Sequence, residues 1–140
     1  MITGSCLCGA VKYSLNGPMG EIVHCHCETC RKTHSSAFSS VAAVADTDFN
    51  LQVAVNQLGC FESSPGKRRY FCQACGSHLY AKRDNTEHVI LRLGSLDDSS
   101  LTVENTPRER NHIWVSQQAN WYQRDAELPA FDEYEPSISD

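Results

Sequence analysis

Seven of the eight cysteines in this 140-residue chain fall into three tight groups: C-L-C-G at 6–9, C-H-C-E-T-C at 25–30 and C-Q-A-C-G at 72–76. Cysteines separated by one or two residues bring their sulfurs to one point, which suits a tetrahedral metal better than separate cross-links. Thiolate-rich tetrahedral sites select zinc or an iron–sulfur cluster, and glycine-flanked pairs favour zinc. Disulfides are the weaker expectation. The N-terminal run MITGSCLCGAVKYS has neither the basic start nor the apolar stretch of a secretory signal. A cytoplasmic location is expected, where thiols stay reduced.

The three groups are not equivalent. Cys8 and Cys75 are each followed by glycine, Gly9 and Gly76, which can turn the backbone amides toward the sulfurs. Together these two knuckles supply a closed four-sulfur site, Cys6, Cys8, Cys72 and Cys75, and a closed site is structural. The middle group, Cys25, Cys27 and Cys30, has no following glycine and offers three ligands. Three ligands and an open position are what a catalytic zinc needs. The competing reading closes this group into a second structural site with His24, His26, His34 or Cys60. Cys60, between apolar neighbours in a strand-like Q-L-G-C-F-E, is expected to be a buried core residue. Two zinc ions per chain are therefore expected.

Strand signals outnumber helix signals along the rest of the chain. Runs rich in β-branched and aromatic residues at 10–15, 21–25, 39–45, 50–56, 69–71, 78–82, 89–93 and 112–115 predict short strands. Turn residues separate them, as in Asn16-Gly17-Pro18 and Ser64-Pro65-Gly66. One short helix is predicted over Glu28–His34, and Asp97–Ser100 and Arg108–Asn111 read as loops. The fold is thus all-β, small and pinned by metal. One domain over residues 1–130 is expected, followed by an acidic, loose tail at 131–140. Residues 125–140 hold six acids and no base, so the formal charge of −5 is concentrated there. A basic nucleic-acid footprint is absent. No window approaches the run of about 18 apolar residues that a membrane helix requires.

The ordered set G-S-C-L-C-G-A-V-K-Y, C-H-C-E-T-C-R-K-T-H, F-E-S-S-P-G-K-R-R-Y-F-C-Q-A-C-G-S-H-L, L-G-S-L-D-D and H-I-W-V resembles the glutathione-dependent formaldehyde-activating enzyme family, which includes the centromere protein V type. The likeness covers roughly residues 3–130. It implies a β-tent of twisted antiparallel sheets. It also implies a structural zinc on Cys6, Cys8, Cys72 and Cys75 and a catalytic zinc on Cys25, Cys27 and Cys30. The implied activity is that of a carbon–sulfur lyase, joining glutathione and formaldehyde as S-hydroxymethylglutathione. One departure is visible: after C-R-K-T-H the family often has glycine, where this chain has Ser35.

The chemistry of the middle group agrees with that implication. Zinc on three thiolates is a poor activator of water but accepts a fourth sulfur, deprotonating it as it binds. The resulting anionic assembly needs nearby cations, and Arg31 and Lys32 follow Cys30 while Lys67, Arg68 and Arg69 precede Cys72. Arg31 and Arg69 are the expected contacts for an anionic co-substrate such as glutathione. Ser63 and Ser64 either bind that ligand or only shape the Pro65-Gly66 turn, and Trp114 and Trp121 either wall a pocket or pack the core. The partners expected are a small thiol and a carbonyl compound. Two other classes stay open: a zinc-stapled module that binds thiols or partners without turnover, and a methionine sulfoxide reductase-like fold with Cys60 as its redox cysteine.

Overall fold

Alternating β-branched and aromatic residues, broken every few positions by turn residues, give short strands with little room for helix. A computed structural model describes residues 1–136 of the chain. The strands are β1 (Ile2–Ser5), β2 (Val11–Leu15), β3 (Ile22–Cys25), β4 (Ser39–Ala45), β5 (Phe49–Val53), β6 (Leu58–Ser64), β7 (Lys67–Cys72), β8 (His78–Arg83), β9 (His88–Arg92) and β10 (Glu109–Ile113), with a single α-helix, α1 (Glu28–His34), between β3 and β4. The protein is all-β with one short helix, and no helix among the described residues is long and apolar enough to cross a membrane.

Two compact units divide the chain. The first comprises Met1–Gly20 and Ala42–Pro107. It contains a three-stranded antiparallel sheet in the order β1-β2-β5, and the strands β9, β8, β7 and β6 side by side. Its core gathers Ile2, Val11, Tyr13, Leu15, Val44, Leu79, Val89 and Leu91 with Cys6 and Cys72. The second unit comprises Glu21–Val41 and the chain from Arg108 onward. There β3 lies between β4, antiparallel, and β10, parallel.

Several expectations change at this level. Cys60 is exposed, not buried. It lies on β6, the outermost strand of its sheet, where the buried position is taken by Gly59 beneath Phe71. Residues 109–111, read as loop, form most of β10. Their polar side chains find partners that a local reading cannot supply. Trp114, expected to continue that strand, adopts a left-handed conformation at φ 57 and ends it. The acidic stretch expected to hang loose from residue 131 is instead bonded: Phe131 N–H donates to the His112 carbonyl at 3.0 Å, and Glu135 accepts from Arg110 and Asn111. Residues 137–140 of that stretch lie outside the described residues.

Candidate metal centres and their surroundings

In the first unit, Cys6, Cys8, Cys72 and Cys75 bring their sulfurs within 4.8 Å of one another. Gly9 at φ 82 and Gly76 at φ 80 make the left-handed turns that the two knuckles require. Cys6 Sγ and Cys8 Sγ are 3.7 Å apart, and Cys8 Sγ and Cys72 Sγ 3.8 Å. A tetrahedron with zinc–sulfur bonds of about 2.3 Å has edges of about 3.8 Å, so this set fits such an ion. No disulfide joins these cysteines. Amide and hydroxyl donors already serve the sulfurs: Val11 N–H donates to Cys6 Sγ at 3.3 Å, and Ser77 Oγ lies 3.2 Å from Cys75 Sγ. The Ser77 hydroxyl and amide draw the Cys75 thiol down to about 5. At Cys8 the Ala10 amide pulls downward, but desolvation and the neighbouring sulfurs outweigh it and leave the thiol at about 11. Cys75 and Cys8 thus hold their protons unequally, and a bound cation would release those that remain.

In the second unit, Cys25, Cys27 and Cys30 form a separate set within 4.8 Å. Cys25 ends β3, Cys27 is the N-cap of α1, and Cys30 lies in its first turn. Cys30 N–H donates to Cys27 Sγ at 3.3 Å, so the two-residue spacing is also a helix cap. Contacts with Cys27 and Cys30, with burial added, push the Cys25 thiol far up. No histidine or carboxylate of the described residues joins this set within the same distance.

Histidines and aromatic rings fill the space behind it. His26, fully buried between Cys25 and Cys27, sits with its Nε2 2.7 Å from His112 Nδ1, and its amide donates to the Ile113 carbonyl. Phe38 lies 4.8 Å from the His26 ring and 5.6 Å from Tyr122. Burial, followed by the charges of His112, Arg124, His24 and Arg31, lowers His26 to about 4, so the ring is neutral at neutral pH. His24 donates from Nε2 to Glu109 at 2.7 Å, and its Nδ1 lies 2.9 Å from the Ser40 hydroxyl. These histidines support the sulfur loop from the side.

The expected cations lie in both units. Arg31 belongs to the second set: its Nε–H donates to the Gln117 carbonyl at 3.1 Å, and Gln117 Oε1 accepts from the Glu28 amide at 2.9 Å. Lys32 is exposed and pairs with Glu28 along the helix. Arg69, Ser63 and Ser64 lie in the first unit. Arg69 is buried on β7 and donates to Ser63 Oγ at 2.9 Å, while Ser64 pairs with Lys67 at the hairpin mouth. Trp121 is exposed, and Trp114 packs edge-on against Tyr134. His112 and Tyr122 reach His26 beside the second set from the far end of the sequence, and Gln117, Gln118 and Arg124 lie in the same segment. The motif H-I-W-V contains His112, but no spacing signal points to the others.

The family described as glutathione-dependent formaldehyde-activating enzyme matches residues 1–117. A Halomonas elongata protein named "Putative glutathione-dependent formaldehyde-activating enzyme" is 27% identical over 128 residues, 86% of this chain and 79% of that protein. A Schizosaccharomyces pombe protein named as an uncharacterized lyase is 35% identical over 78 residues, 55% of this chain and 54% of that one. A Podospora anserina protein with the same name as the Halomonas one is 31% identical over 88 residues, 61% of this chain and 41% of that protein. A crystal structure of a Rhodobacter sphaeroides protein shares the fold, with a TM-score of 0.58 at 20% identity, over 73% of this chain and 92% of that one.

Proposed function

The chain belongs to the glutathione-dependent formaldehyde-activating enzyme family, and on that premise we propose that it is a carbon–sulfur lyase that joins or separates a thiol and a carbonyl compound at Cys25, Cys27 and Cys30. Glutathione is the proposed thiol and formaldehyde the proposed carbonyl partner. In the joining direction the thiol sulfur bonds to the carbonyl carbon, the C=O π pair moves to oxygen, and the thiol proton ends on that oxygen. The product is S-hydroxymethylglutathione, and the reverse step returns both reactants. A cytoplasmic setting, which keeps the eight thiols reduced, is part of the proposal.

One observation carries this reading. The second set has three sulfurs within 4.8 Å where the first has four, so it alone leaves a tetrahedral position for a substrate sulfur. Zinc bound there would supply that position and favour the thiolate form of what enters it. The protein's own part is positioning. Cys27 and Cys30 are fixed by the helix cap, Cys25 by the end of β3, and His26 and His112 brace the loop between them. Arg31, held by Gln117, offers positive charge to an anionic thiol. Arg69, Ser63 and Ser64 of the first unit are proposed as glutathione-binding residues on their sequence motif alone. The set Cys6, Cys8, Cys72 and Cys75 is assigned to a structural zinc.

Replacement of Cys27 by Ser tests the proposal. A serine oxygen is a poorer zinc ligand than thiolate, so this variant should keep its fold, lose one of two zinc ions and lose the acceleration of adduct formation measured by exchange NMR. Retention of both ions with full thiol chemistry would overturn this open-site reading, and a wild type that binds thiols without accelerating adduct formation would replace it with that of a non-catalytic thiol-binding module.

A further inference from the structure

Two guanidinium groups of the second unit are held by one turn of chain. The left-handed Trp114 leads into a turn at Val115–Gln117, which presents Gln117 and Gln118 in succession. Gln117 holds Arg31, as described. Gln118 holds Arg124: its Oε1 accepts from Arg124 Nη1 at 2.6 Å, and its Nε2 donates to the Tyr122 carbonyl at 3.0 Å. Tyr122 places this segment against the sulfur loop, its ring 6.1 Å from that of His26.

Arg124 has a donor to spare. Its Nε is buried and meets no hydrogen-bond partner among the described residues, and no ion pair there involves it. A buried donor left unmatched is costly, and a guanidinium edge is shaped to give two parallel N–H bonds to a carboxylate. With Nη1 taken by Gln118, such a ligand would have to meet the edge formed by Nε and Nη2.

We propose that Arg124 is the specificity-determining residue of this site, receiving a carboxylate of the incoming thiol on its Nε–Nη2 edge with Arg31 as the second cation, so that the site takes anionic thiols over neutral ones. This rests on the thiol reading above and names what that thiol must carry. Neither arginine takes part in bond making; both hold the substrate by its charge.

Calorimetry on the full-length, metal-bearing protein tests it with two probes, glutathione and its dimethyl ester, which keeps the thiol and masks both carboxylates. The wild type should bind glutathione more tightly than the diester, by about tenfold or more, the scale of a charge-assisted bidentate contact. Arg124→Gln should remove most of that preference by weakening glutathione alone. Arg124→Lys, which keeps charge without the fork, should recover only part of it. Equal binding of both probes by the wild type, binding of neither, or an equal loss for both in Arg124→Gln would overturn the inference. The wild-type comparison stands whatever the variants' folding, which melting curves monitor. Carboxylate-dependent binding that needs Arg124, without faster adduct formation, upholds this inference and removes the proposed reaction. Faster adduct formation without carboxylate preference does the reverse.

Discussion

Ser35 shows how one residue can carry a cost that its neighbours impose. It caps the C-terminus of α1 in the left-handed region, at φ 50 and ψ 47, with its amide donating to the Arg31 carbonyl. That position favours glycine, because a Cβ there crowds the following carbonyl by roughly 1 kcal/mol. The family resemblance had marked this place as one where glycine is frequent, and the backbone supplies the reason. Ser35→Gly should therefore stabilise the protein by about 0.5–1 kcal/mol, less the extra chain entropy of glycine, and raise the melting temperature by a few degrees. An unchanged or lower melting temperature would show that the cap conformation is not strained. Gly9 and Gly76 were readable from the sequence for the same reason, since each follows a cysteine that must turn its sulfur inward. Cys60 was misread because apolar neighbours do not say which strand is outermost.

At the scale of elements, β10 is the instructive one. Glu109-Arg110-Asn111 has the composition of a loop, and nothing local marks it as a strand. Its partners come from elsewhere: β3 supplies a parallel backbone ladder, His24 meets Glu109, and Glu135 accepts from Arg110 at 2.6 Å and Asn111 at 2.7 Å. Arg110 also reaches Glu21 at 3.0 Å. A buried asparagine and a partly buried arginine are tolerable only with these bonds made. Glu135→Ala should cost about 1–3 kcal/mol, because it leaves the buried Asn111 amide without its acceptor. The check is chemical denaturation, and a loss below about 0.5 kcal/mol, within the scatter of ordinary surface substitutions, would mean that β10 holds without the acidic segment.

For the whole molecule, each compact unit carries one sulfur set. The first set joins residues 6–8 to residues 72–75 within its unit, while the second draws on the end of one strand and one helical turn. Metal binding at the first should therefore contribute more to folding than at the second. Elemental analysis should give two zinc ions per chain, and one ion, or iron with sulfide, would break the assignment. Cys75→Ser, at a half-exposed position where little packing is lost, should lower the melting temperature by about 10 °C or more, because structural zinc is worth several kcal/mol. A melting curve equal to that of Cys27→Ser would contradict the division into a structural and a functional ion.

Both sulfur sets were legible in the sequence because their ligands are close along the chain, and short spacing fixes where sulfurs can meet whatever surrounds them. The helix over Glu28–His34 and the strand over Ser39–Ala45 were legible too, since local composition over a few residues carries both. The surroundings of the second set were not. His112, Gln117, Gln118 and Arg124 stand some 80 to 100 positions from the cysteines they flank, in a segment whose polar composition reads locally as loop. Only tertiary structure decides which distant polar groups are buried together. That is where the supporting histidines, and the arginine proposed to select the substrate, were found.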